Sequence, residues 1–287
     1  MARNLSVPSP ALLYECARHE AAALQAHLAA AEEGQSVHGA RRRIKQLRSL
    51  LRLLHAELGE QTYGEANAAL RNAADALAGH RRAEALVAAA ARLEGGAAGA
   101  GLWCGLAQAH RAAHAAQDDR VALDIARQAI TDVLAVLTST SPGCVQADGP
   151  ALVFLADYRK ARRLLRKGFV TGDTETLHAA RKFVIHHLHH LKIMRPQAKR
   201  RLAELEALRE VLGDLNDLDE LEQLAADGTI HGNDARRMRK ARRHLLRKAE
   251  DAAGKLFRWG SAKWRKRMSH AAAAHSPERL VALQAEQ

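Results

Sequence analysis

His38, Arg41, Arg42, Lys45, Arg48 and Arg52 stand at helical spacings in the stretch VHGARRRIKQLRSLLRLL, residues 37–54. Projected at about 100° per residue, they share an arc of roughly 120°, while Ile44, Leu47, Leu50, Leu51 and Leu54 take the opposite side. The chemistry such a strip can do is anion binding. Arginine donates two parallel N–H groups to phosphate or carboxylate oxygens and stays charged at any cellular pH. Lysine adds a point charge, and a histidine donates more strongly once an anion raises its pKa. Like charges three and four residues apart repel one another, so the strip predicts an external anion.

The device recurs in LHAARKFVIHHLHHLKIM, residues 177–194, where His178, Arg181, Lys182 and Lys192 repeat the positions of His38, Arg41, Arg42 and Arg52 at an offset of 140. The copy is imperfect: Ile185 replaces Lys45 and Leu188 replaces Arg48, and His186, His187, His189 and His190 crowd the same helix. His189 joins the candidate binding set. His186 and His190 lie one turn apart, the spacing of two metal ligands, but no third ligand follows at suitable spacing. The reading is therefore a histidine band, with no metal site and no cofactor. A third basic segment, ALVFLADYRKARRLLRKG, places Arg159, Arg162, Arg163 and Arg166 on one side with Lys160 and Lys167. Phe154, Tyr158, Leu164 and Leu165 lie opposite.

H-x-x-R-[RK] followed by a basic, leucine-rich helix resembles the CHAD family, histidine-containing all-α domains built from two copies of a four-helix unit. YRKARRLLRKGFVTGDTETLHAARKFVIHHLHHLKIM is similar to the opening helical pair of the second unit. ANAALRNAADALAG and LREVLGDLNDLDELEQL resemble the third-helix regions of the two units, and the likeness spans about residues 11–268. The resemblance implies two four-helix bundles related by pseudo-twofold symmetry around a basic groove or pore, and a ligand, inorganic polyphosphate. It implies residence in polyphosphate granules as well.

The elements that must carry these residues are all helices. Aromatics make up 3% of the chain and the prolines leave 11–141, 151–195 and 197–276 uninterrupted, so an all-α fold with a Leu/Ala core is expected. The expected organisation is an N-terminal extension at 1–10, a first helical repeat at 11–140, a linker at 141–149, a second repeat at 150–268 and a tail at 269–287. Within it, Ser36 is read as the cap of the strip helix and Gly34 and Gly59 as stops. EGGAAGAG at 94–101 is a break, and Asp173 or Thr174 caps the helix of His178. A helix over 197–212 is expected to stop at Gly213, with Asn216 or Asp217 capping the next. After a turn at 227–233, one basic run extends to Met268, with Phe257, Trp259 and Trp264 as packing residues.

A net charge of +12 favours polyanions. Cys16, Cys104 and Cys144 lack metal-ligand spacing and form no even set, which points to a reducing compartment. No secretory or membrane-spanning segment is read, so the cytoplasm is the expected location. No catalytic motif appears, and binding without turnover is expected. Nucleic acid is the weaker alternative ligand, since ten aromatics give little base stacking and no helix-turn-helix spacing is visible. A granule-surface scaffold, docking through amphipathic helices, is the remaining alternative.

Overall fold

The computed structural model describes residues 8–32, 38–95, 101–114, 119–140, 149–225 and 232–269. Every regular element among them is helical: α1 (Pro10–Glu32), α2 (His38–Leu53), α3 (His55–Leu58), α4 (Glu60–Ala76), α5 (Gly79–Leu93), α6 (Leu102–His114), α7 (Asp119–Ser139), α8 (Gly149–Thr171), α9 (Thr174–Met194), α10 (Lys199–Leu224), α11 (Gly232–Leu256) and α12 (Ser261–Ser269). The Gly34 stop, the Ser36 cap, most of the 94–101 break, the linker residues 141–148 with Cys144, the turn within 226–231 and the tail beyond 269 lie outside the described residues, as does the His38 side chain.

Three apolar cores hold the helices. In the first, Leu13, Tyr14 and Leu24 of α1 meet Ile44, Leu47 and Leu51 of α2, Leu70 of α4, and Ile130 and Val133 of α7. Contacts run from α1 to α2 and α7, from α2 to α4, and from α4 to α7. In the second, Phe154, Tyr158 and Leu165 of α8 pack with Val184, Leu188 and Leu191 of α9, Leu205 and Leu212 of α10, Leu256 of α11, and Trp264 of α12. The third joins α5 and α6 to α10 and α11 through Leu86, Trp103, Leu218, Leu221 and Met238. The first and second cores meet where α2 packs on α8 and α9.

Local sequence accounts for the boundaries at Gly59 and Asp173. Gly59 adopts a left-handed φ of 76°, which glycine enters without steric cost, and separates α3 from α4. The Asp173 carboxylate accepts from the Glu175 amide at 3.0 Å, capping α9. Two expected breaks move. α10 runs without interruption through Gly213, so neither Asn216 nor Asp217 is a cap. Leu208, Val211, Leu212, Leu215 and Leu218 form one buried stripe across the glycine, and packing along it outweighs a helix cost of about 1 kcal/mol. The terminal basic run, by contrast, is two helices divided between Leu256 and Ser261.

That division is built into the core. The Arg201 guanidinium donates to the Leu256 carbonyl at 2.7 Å, Arg162 to Phe257 at 2.9 Å and the Tyr158 hydroxyl to Trp259 at 2.9 Å. These donors satisfy carbonyls that a helix end leaves open. Buried Arg195 does the same for Met268 at 2.7 Å. Trp264 stacks on Tyr158 at 4.8 Å beneath the Arg201 guanidinium, 3.9 Å from its ring centre, so the terminal aromatics are packing residues.

Candidate anion-binding site

The greasy side of α2 and the residue just after it are buried: Ile44, Leu47, Leu50, Leu51 and Leu54 are at most 1% exposed. Arg43 shares that side. It is buried and donates to both oxygens of Glu20 on α1 at 2.9 and 3.1 Å, an internal ion pair that no spacing within one helix reveals. Burial keeps the Glu20 carboxyl above its usual range despite this partner.

On the opposite side the strip divides. Arg42 and Lys45 are exposed. Arg41 donates to the Leu77 carbonyl at the end of α4 at 2.8 Å, where the open carbonyls attract a cation. Arg48 donates to the Asn67 side chain at 2.9 Å. Arg52 reaches across to α8 and grips Asp157: Nε lies 3.0 and 2.9 Å from the two oxygens and Nη2 lies 2.7 Å from Oδ1. Burial pulls the Arg52 pKa down, but the Asp157 hydrogen bonds and charge overcome it and hold the pKa above the ordinary value. The expectation that the whole strip waits for an external anion is thus corrected at Arg52, whose charge is met from within.

α2 crosses α9 at Ser49. Its hydroxyl lies 2.9 Å from the Lys45 carbonyl, 2.9 Å from His186 Nδ1 and 3.0 Å from His189 Nδ1. A hydroxyl has one proton and a carbonyl can only accept. With that proton on Lys45, both imidazoles donate Nδ1–H to the serine oxygen, and this fixes their tautomers. Ser49 and His189 are the same position in the two copies, 140 residues apart. His190 donates Nε2–H to the Ser49 carbonyl at 2.8 Å and turns Nδ1 toward Asp157 at 3.5 Å.

Burial drives the histidine pKa values down, that of His189 to about 3 and that of His186 well below its ordinary value. Around His186, His190, Arg52, His189 and Arg48 add to the effect of burial. The Phe183 ring of α9 has Arg52 at 5.7 Å and Lys160 of α8 at 5.6 Å from its centre. Three helices therefore bring Arg48, Arg52, Lys160 and His186 to one junction, with Asp157 the buried acid among them. His186 and His190 stack 6.1 Å apart, and among the described residues no group of three His, Cys, Asp or Glu is placed to hold a metal.

The remaining candidates lie outside this junction. Arg159, Arg163, Arg166, His178 and Lys182 are exposed, whereas Arg162 is committed to Phe257. Arg181 lies against α10, where a Cβ on Gly213 would stand 3.2 Å from its guanidinium. Asp217, Glu220 and Asp214 surround it, and burial lifts the Asp217 carboxyl to about 6. Asp214 pairs with Arg92 of α5 at 3.1 Å. Lys192 pairs with Glu206 at 2.9 Å, so its charge too is met internally. Sequence reasoning missed Asp157, Ser49 and Phe183. The signal for Asp157 was its place as the sole carboxylate in a strongly basic helix, on the side of Phe154 and Tyr158.

Among the described residues no helix is long and apolar enough to cross a membrane. The family model described as CHAD domain matches residues 15–226. No curated protein and no solved structure matches.

Proposed function

The chain belongs to the CHAD domain family, and from that premise we propose that it binds inorganic polyphosphate, without turnover, and resides in polyphosphate granules. The ligand would run along the exposed cations of α2, α8 and α9, chiefly Arg42, Lys45, Arg159, Arg163, Arg166 and Lys182, past the junction of Arg48, Lys160 and His186. The single observation that carries this reading is the crossing of α2 with α8 and α9, which gathers three basic helices in a chain of net charge +12. Many charge-assisted contacts and release of condensed counterions would give strong, salt-sensitive affinity without sequence readout. The shared core of α1, α2, α4 and α7, and that of α8 through α12, are consistent with two four-helix units that meet at this groove.

Calorimetric titration with long-chain polyphosphate, DNA and RNA at matched phosphate and salt tests the proposal. Polyphosphate should bind at least about tenfold more tightly than either nucleic acid. Reversing Arg42, Lys45 and Arg163 to Glu together should weaken it by at least a further factor of about ten and flatten its salt dependence. These side chains are exposed, so helical circular dichroism should not change. Equal affinity for DNA would overturn the reading.

A further inference from the structure

The basic face of α11 lies outside the strips that define the junction. Lys240, Arg243 and Arg247 stand at i, i+3 and i+7, and with Leu246 and Glu250 they fall within an arc of about 120°. This face and Phe169, near the end of α8, line a cleft of about 530 Å³. Two α11 cations away from this face are matched, Arg242 by Asp219 and Glu222 of α10 and Arg237 by Asp234. Those toward the cleft are not. Lys240, Arg247 and Glu250 have no ion pair among the described residues, and Arg243 reaches only the Arg239 carbonyl of its own helix at 3.4 Å. Gly172 turns the chain at the mouth with φ of 66°, and nothing lies within 4 Å of where its Cβ would be.

The lining is mixed in a way that a bare phosphate chain does not use. Three cations match a short run of phosphates. The half-buried Phe169 ring and Leu246 offer a flat apolar wall to which inorganic phosphate contributes nothing, and Glu250 can only accept hydrogen bonds when ionised. A ligand that satisfies all three has an anionic end, a flat ring system and donor groups such as hydroxyls or an exocyclic amine. The cleft volume lies in the range of small-molecule sites, about 300–1,000 Å³. We propose that this α8–α11 cleft binds a nucleoside polyphosphate, with the phosphates on Lys240, Arg243 and Arg247, the base against Phe169 and the sugar or amine donors toward Glu250. The site is separate from the junction of α2, α8 and α9 and does not depend on what binds there.

Calorimetry with the full chain tests it, with ATP, tripolyphosphate and adenosine as probes and no added divalent cation. ATP should bind at least about tenfold more tightly than tripolyphosphate, because stacking of a base on an aromatic ring is worth about 1–3 kcal/mol. Phe169→Leu keeps an apolar side chain in the core but removes the ring. It should abolish the ATP preference and leave the affinity for long-chain polyphosphate unchanged. Arg243→Glu with Arg247→Glu, both exposed, should lower ATP affinity at least about tenfold. Tripolyphosphate binding as tightly as ATP, or an ATP preference that survives Phe169→Leu, would overturn the assignment.

Discussion

α2 and α9 begin from the same spacing and end in different environments. Each pairs a leucine-rich side with basic residues at matching positions, yet α2 keeps Arg42 and Lys45 exposed while the middle of α9 is interior. Leu188, at the position of Arg48, is fully buried, as is His187 at the position of Leu47. The cause is where the neighbours sit and not how many there are. α9 packs against α8, α10 and α2, whereas α2 packs on α1, α4 and the two helices of the other core in a way that leaves Arg42 and Lys45 uncovered. A cationic strip survives on a helix only where the fold leaves a wet side, so the two copies divide the work. α2 supplies exposed charge, and α9 supplies the histidines and core that hold α2 in place.

Exchanging residues between the copies tests this division most severely. Leu188→Arg should cost more than about 4 kcal/mol, because it places an unpaired charge at a site with no exposure. The reverse change, Arg48→Leu, should stay within about 1 kcal/mol, since Asn67 is half-exposed and water can replace the lost donor. Urea denaturation measures both, and comparable losses would mean that the copies are equally buried. The ion pairs make a second contrast. Arg52→Ala strands the fully buried Asp157 and should cost about 3–5 kcal/mol. Lys192→Ala, at the matching position, breaks a pair whose side chains are 25% and 32% exposed and should cost less than about 1 kcal/mol.

What could be read from the sequence follows the same line. The apolar side of α2 and the cap of α9 depend on residues close in sequence, so periodicity reveals the first and cap chemistry narrows the second to Asp173 or Thr174, whereas Trp264 finds its partners, Tyr158 and Arg201, far away along the chain. The partners of Arg41, Arg43, Arg48 and Arg52 lie on other helices, α4, α1 and α8, so the spacing within α2 carries no trace of them. Gly213 reads as a stop because glycine is a poor helix former. Only α10's neighbours explain why the helix continues and why Arg181 can lie so close. The cleft between α8 and α11 was invisible for the same reason: its aromatic wall and its cations are about 70 residues apart.

The histidines sharpen the comparison through pH. His187 is enclosed by Phe154 at 4.7 Å, Tyr158 at 5.4 Å, Trp264 at 5.8 Å and Phe257 at 5.9 Å. Burial, then the charges of Arg201 and His190, hold its pKa well below the ordinary value. A histidine depressed in the fold binds its proton more readily when unfolded. Its contribution to stability is present above pH about 6.5 and is lost as pH falls below it, by about 1.4 kcal/mol per unit. The first copy has Leu47 at this position and no such term. Denaturation at pH 7 and pH 5.5 should therefore show a loss of stability in the wild type, and His187→Leu should reduce that loss by about 1 kcal/mol, whatever it does to stability at pH 7. An unchanged loss would place the acid sensitivity in His186, His189 and His190 at the crossing of α2 and α9, so that acid would part the two cores there without first loosening the aromatic box around His187.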